Sequence, residues 1–251
     1  MQHWELLFFF FAIAFIYASV GFGGGSSYLA VLALYALPVA EMRLTALICN
    51  IIVVTGGTII YIRTRQVNWK KIIPLIVVSV PMAFLGASLK LSIDTFFIIL
   101  GCSLLTAAIL LWIKTRKNNE VVFDKPNYAR DGLLGGAIGF LSGMVGIGGG
   151  IFLSPLLNLI KWDEPKKIAA TASLFILVNS VSGIAGQLSS AHADINYMQI
   201  GLLCLAVLIG GQLGSRIGAL KFDQVIIRRV TAVLVFAAGI EVLIKHLPWF
   251  T

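Results

Sequence analysis

Six stretches of the chain run for about fifteen residues or more with almost no charge: Leu44 to Tyr61, Ile72 to Leu89, Thr95 to Ile113, Ile168 to Gly186, Tyr197 to Ser215 and Val230 to Ile244. A helix needs roughly 17 to 25 apolar residues to cross about 30 Å of hydrocarbon, and most of these runs reach that length. No water-soluble core could hide them, because hydrophobic residues fill 59% of the 251 positions and charged residues only 12%. Soluble domains hold about one-half and one-quarter. The expected fold is an all-α integral membrane protein, one compact helical bundle with no room for a separate soluble domain.

The chain has 19 Lys and Arg against 11 Asp and Glu. The basic residues lie in short loops beside the apolar runs, where they set membrane topology. No nucleic-acid partner is expected. Cys49, Cys102 and Cys204 fall inside apolar runs, too scattered for metal-ligand spacing. They read as small core residues with neither a disulfide nor a metal site implied. The segment Met1 to Glu5 lacks the basic n-region of a cleaved signal peptide, so the first helix is expected to be retained.

One hexapeptide recurs at about half the chain length: Val20-Gly21-Phe22-Gly23-Gly24-Gly25 and Val145-Gly146-Ile147-Gly148-Gly149-Gly150. The match extends to Leu44-Thr45-Ala46 with Ala170-Thr171-Ala172, Val67-Asn68-Trp69 with Ile195-Asn196-Tyr197, and Leu85-Gly86 with Leu213-Gly214. Two copies are expected, residues 1–116 and 131–251, joined by a cytoplasmic linker over 117–130. In each copy the glycines break an apolar stretch into short helices, Trp4 to Val20 and Ser26 to Leu37, then Asp131 to Val145 and Ile151 to Ile160, the second pair shorter still. Non-helical backbone at such depth is tolerated only where protein or a wet cavity satisfies it. Each glycine segment should therefore be the apex of a re-entrant or short hairpin, lining a cavity.

A hairpin followed by three spans makes five elements per copy, so the second copy starts on the opposite side and the repeats are inverted. With the N-terminus outside, sixteen of the 19 basic residues fall in inner loops, within 63–71, 114–131, 161–167 and 216–229, leaving Arg43, Lys90 and Lys245 outside. That asymmetry puts both termini in the periplasm by the positive-inside rule. Trp4, Trp69, Trp112, Trp162 and Trp249 lie at expected helix ends, where amphipathic rings favour the interface.

Inverted repeats with broken helices are the architecture of secondary transporters, with the ligand near the midplane. Both apices would meet there, each feeding a helix N-terminus whose free N–H groups and positive dipole end suit an anion. The candidate substrate-binding residues are Gly23, Gly24, Gly25, Ser26 and Ser27 at the first apex and Gly148, Gly149 and Gly150 at the second. Asn50 and Asn179 join them, since a membrane-embedded amide without a partner is costly. Ile151 and Phe152 stand where the first copy has serines, so the site should be asymmetric. Glycines also serve close helix packing, the reading for Gly135, Gly139 and Gly143; recurrence at two broken helices favours binding at the apices.

Other neutral polar residues of the spans include Thr45, Thr55, Thr58, Thr171, Ser173, Ser182 and Gln187. They are as well explained by interhelical hydrogen bonds. Glu5, Glu41, Asp94, Asp194 and Glu241 fall toward the outer side, so no mid-membrane carboxylate relay is expected. His3, His192 and His246 lie near the outer face, too far to serve Ser26 as a base, which argues against an enzyme. No strand precedes the glycines, which excludes a dinucleotide loop.

The paired glycine motifs, each followed by a short helix and a span entered through Leu44-Thr45-Ala46 or Ala170-Thr171-Ala172, resemble those of the TauE/SafE family of sulfite and organosulfonate exporters. The resemblance covers the whole chain. It implies export of a small sulfur oxyanion or sulfonate, such as sulfite or sulfoacetate, across the bacterial inner membrane. Pro155 follows the second glycine cluster as is common in that family, whereas the first copy has Ala30 there. The expected partners are a small anionic substrate and the lipid bilayer; a homo-oligomer is admissible, and no cofactor is implied. A passive anion channel of the same fold is the alternative to a carrier.

Overall fold

The computed structural model describes residues 4–19, 22–35, 37–112, 127–190 and 197–221, and within 232–244 residues 232–233, 236, 239–240 and 242–244. Gly21, linker residues 117–126, His3, His192, His246, Asp194, Glu241, Lys245, Trp249 and most of the expected last span lie outside the described residues. The described elements are helices: α1 (Glu5–Ala18), α2 (Gly25–Leu34), α3 (Val39–Arg63), α4 (Trp69–Ser88), α5 (Ile93–Trp112), α6 (Tyr128–Val145), α7 (Gly150–Leu159), α8 (Pro165–Ser190) and α9 (Tyr197–Lys221). Among the described residues there is no strand. Five helices, α3, α4, α5, α8 and α9, are long and apolar enough to cross a membrane, and α1, α2 and α7 are shorter apolar helices. The all-helical membrane fold expected from the apolar runs is the fold observed.

Each break in the helical pattern has a local cause. Pro38, with φ −55° and ψ 136°, stands in extended backbone just before α3, as proline permits at a helix start. Asn127 caps α6 by accepting the Arg130 N–H at 3.1 Å. At the far end Gly146 adopts φ 86°, the left-handed conformation that ends helices at little cost for glycine, and its N–H reaches the Ser142 carbonyl at 2.7 Å. The cap at Asn127 starts α6 before Asp131, so the helix has 18 residues against 14 in α1. The expectation that the second pair of short helices is the shorter is corrected: α6 is about 27 Å long at 1.5 Å per residue, and α7 equals α2 at 10 residues.

The closest packing is between α4 and α6 and between α1 and α9. Both pairs are fitted through glycine. Gly135, Gly139 and Gly143 of α6 face the backbone of Leu75, Ser79 and Ala83 in α4, and Gly210 and Gly214 of α9 face the backbone of Phe11 and Phe15 in α1. Small residues let helix backbones approach where lipid offers no hydrophobic drive to associate. Between these pairs α3 packs on α8, with Thr58 Oγ1 and Ser173 Oγ sharing a hydrogen bond of 2.8 Å. Ser182 donates to the Val80 carbonyl and Gln187 to that of Ala40. The polar side chains of the spans thus mostly serve helix association.

A polar cluster secures the ends of α6 and α7 to the start of α4. Trp4, Trp69 and Trp112 are exposed as an interfacial position requires, but Trp162 is wholly buried. Its indole N–H donates to Asp131 Oδ2 at 3.1 Å, and the Lys71 ammonium lies 5.1 Å from its ring centre and donates to its carbonyl. Asp163 accepts from Asn68 at 2.9 Å and pairs with Lys71 at 3.5 Å. Burial alone would raise the Asp163 carboxyl, but the Glu164 N–H, Asn68 and the charges of Lys71 and Lys167 hold it below its usual pKa.

The α4–α6 contact leaves no space for a side chain at Gly139, whose added Cβ would stand 2.6 Å from the Ser79 carbonyl oxygen, whereas Gly201 has nothing within 4 Å. Gly139→Val should cost about 2 kcal/mol or more of stability by overpacking, while Gly201→Val stays close to the parent. Thermal unfolding in detergent checks the contrast.

Candidate functional site

The two glycine segments come together. Helices α2 and α7 begin at Gly25 and Gly150, directly after them. The first helical bonds run from the Tyr28 N–H to the Gly24 carbonyl at 2.8 Å and from the Leu153 N–H to the Gly149 carbonyl at 3.0 Å. The amides just before them, at Gly25, Ser26, Ser27, Gly150 and Ile151, have no acceptor within their helix. The apices touch so closely that a Cβ on Gly25 would lie 2.5 Å from the Ile147 carbonyl oxygen.

A small cleft opens where they meet. Phe22, Gly23, Gly24, Gly25 and Ser26 line it from the first apex, Ile147, Gly150 and Ile151 from the second, with Tyr17 of α1 and Ile176 of α8 closing the sides. It has room for about one water molecule. The Ser26 hydroxyl is buried with 1% exposure and has no hydrogen-bond partner among the described residues. Ser27 Oγ is instead bonded to the Tyr17 hydroxyl at 2.7 Å. No carboxylate lines the cleft, and each helix start contributes roughly half a positive charge.

Asn50 joins the two apices. Its Oδ1 accepts from the Gly24 N–H at 3.2 Å and its Nδ2 donates to the Ile147 carbonyl at 2.8 Å. Both ends of one side-chain amide are thus spent on backbone groups left over by the broken helices. Three nearby glycines make room for it: a Cβ at Gly23, Gly25 or Gly148 would meet the Asn50 amide.

The two apices need glycine for different reasons. At the second, Gly148 and Gly149 have φ of 81° and 83°, a region L side chains rarely enter. At the first, Gly24 has φ 173°, ordinary extended backbone, and glycine is required there by space, since a Cβ would lie 2.7 Å from the Tyr28 ring. The second apex is set by dihedrals as well as by crowding, for a Cβ on Gly149 would stand 2.8 Å from the Phe175 ring.

Of the residues expected at the site, the glycines, Ser26, Ser27 and Asn50 are gathered at the apices. Asn179 is turned away from the cleft lining: its Nδ2 donates to Ser79 Oγ at 3.1 Å and to the Phe175 carbonyl at 2.8 Å. Counting from the matched threonines, Thr45 to Asn50 corresponds to Thr171 to Ile176. Ile176 is therefore the counterpart of Asn50, and it is the residue found against Gly23, Gly148 and Gly150. Four residues on, the wholly buried Ser180 hydroxyl has no partner among the described residues and lies 3.0 Å from the Cβ position of Gly148. Extending the repeat register would have pointed to Ile176; nothing in the sequence singles out Ser180. Among the described residues no group of His, Cys, Asp or Glu could hold a metal ion.

Comparison with known proteins agrees with this architecture. The family model described as "Sulfite exporter TauE/SafE" matches residues 6–242. The "Probable membrane transporter protein y4hK" of Sinorhizobium fredii is 32% identical over 237 residues, covering 93% of this chain and 95% of that protein. The "Probable membrane transporter protein YunE" of Bacillus subtilis is 26% identical over 206 residues, covering 74% and 75%. No solved structure matches the chain. The chain belongs to the TauE/SafE family and is a multi-pass membrane transporter.

Asn50→Leu would strip the Gly24 N–H and the Ile147 carbonyl of their partner, at about 1–3 kcal/mol for each buried group left unpaired. It should lower the unfolding temperature in detergent and abolish transport. Asn179→Leu, away from the cleft, should retain transport when the two variants are compared at equal amounts of folded protein in liposomes.

Proposed function

We propose that the protein is a secondary transporter exporting a small sulfur-containing oxyanion or organosulfonate, such as sulfite or sulfoacetate, across the bacterial inner membrane. The observation that carries the reading is the buried, unpartnered Ser26 hydroxyl in a cleft lined by both glycine segments, at the start of α2. Helix N-termini with accessible amides attract anions, and glycine lets an oxyanion approach the backbone. The family name supports the substrate class, and the transporter names of the relatives support transport.

The binding set of this reading is Gly23, Gly24, Gly25, Ser26 and Ser27 with Gly148, Gly149 and Gly150. Asn50 positions the two apices, and Asn179 supports α8 against α4. The halves are inverted copies, residues 1–116 and 131–251, with both termini in the periplasm. Two features support this: the placement of basic residues, and the exchange of partners in which α1 packs on α9 as α6 packs on α4. The tightness of the cleft supports a carrier over an open channel, because an anion enters only if the apices part.

An anion leaving a cell with a negative interior gains about 2.3 kcal/mol per charge per 100 mV. That sustains nearly a fiftyfold concentration ratio, since about 1.4 kcal/mol is a factor of ten. Transport is therefore electrogenic uniport without a coupled proton, in keeping with a cleft that no carboxylate lines. In proteoliposomes, a potassium-diffusion potential should drive sulfite flux, a pH gradient at clamped potential should not, and Gly149→Val should abolish it. Flux that follows the pH gradient alone would exclude uniport, and wild-type flux through well-folded Gly149→Val would remove the apices from the path.

A further inference from the structure

Arg43, expected on the outer side, belongs to α3 and is buried, with 6% exposure. Its Nη2 donates to the Ala87 carbonyl at 3.1 Å and to the Gly143 carbonyl at 2.8 Å. Those carbonyls lie in the last turns of α4 and α6, so the cation sits on the negative ends of two helices. This compensation is partial. Among the described residues no carboxylate pairs with Arg43, and its buried Nε has no acceptor. A buried guanidinium without a counter-anion is costly, and a helix terminus supplies only a fraction of a charge.

Arg43 is also linked to the second apex. It lies two helical turns from Asn50 along one face of α3, about 10 Å apart. Both residues hold the same short segment: Asn50 bonds the Ile147 carbonyl, Arg43 bonds that of Gly143, and a Cβ on Gly146 would lie 3.1 Å from Cβ and Cγ of Arg43. The left-handed turn that closes the second hairpin is thus clamped between the apex tie and the buried cation. Any parting of the apices that moves this turn must also move the contacts of Arg43.

We propose that Arg43 is a second anion station, on the side of the apices where α3 begins, whose unpartnered guanidinium Nε receives the oxyanion passing between the glycine apices and that face. The inference rests on the anion-transport reading. The guanidinium carries a full positive charge and its Nε–H can donate to one oxygen of a sulfite or sulfonate, whereas the helix starts offer only partial charge. A full positive charge at this station would favour anions over neutral solutes of the same size.

The test uses the full-length protein, with sulfite as the probe. Sulfite affinity by calorimetry in detergent and half-saturation of flux in proteoliposomes are measured for the parent, R43Q and R43K, with unfolding temperatures recorded without anion. R43Q should weaken both constants by about tenfold or more, the loss of a charged hydrogen bond, and R43K by several-fold, since charge remains but the Nε–H donor is lost. A guanidinium that only caps α4 and α6 would lower the unfolding temperature of R43Q and leave the affinity unchanged, which overturns the proposal. If R43Q does not fold, R43K decides, and parental affinity in R43K overturns it equally. A parent protein that neither binds nor moves sulfite or a sulfonate overturns the transport reading itself, and this inference with it.

Discussion

Breaking a helix inside hydrocarbon strands backbone N–H and C=O groups where no water reaches them, and two such breaks meet in this protein. The Asn50 amide resolves one group from each, the Gly24 N–H and the Ile147 carbonyl, with a single side chain. Much else follows from that tie. Gly23, Gly25 and Gly148 must be glycine because the amide occupies the space their side chains would take. The remaining amides at the starts of α2 and α7 stay uncommitted, and the cleft forms around them.

The surrounding helices keep the apices in register. α6 lies against α4 through a glycine stripe, and α1 lies against α9 in the same way. Each hairpin is therefore held mainly by a helix from the other half of the chain. At the far end of the second hairpin the buried Trp162, Asp131, Lys71 and Asp163 cluster anchors α6 and the α7–α8 connection to the start of α4.

Much of this was legible from the chain. Five of the six apolar runs became α3, α4, α5, α8 and α9, and the glycine segments became the breaks before α2 and α7. The spacing of Gly135, Gly139 and Gly143 correctly signalled packing. Other features depend on which way a helix faces, and an all-apolar helix gives no period from which to read that. Asn50 and Asn179 look alike in sequence, yet one faces the apices and the other α4. Trp162 looked like an interfacial ring, but a carboxylate from α6 gave its N–H a buried partner. The burial of Arg43 is not legible in the sequence, because its compensation comes from the backbone carbonyls of two distant helix ends, which carry no sequence mark.

The central claim is that the two glycine-started helices form one anion site. An experimental structure of the protein in lipid nanodiscs, determined with and without a saturating sulfonate, tests it most directly. The account predicts ligand density between the amides of Gly25 and Ser26 and that of Gly150, with its charged end toward the Ser26 hydroxyl and the apices parted to admit it. Ligand density elsewhere in the bundle, with the apices still in contact and Asn50 still bridging Gly24 and Ile147, would contradict it.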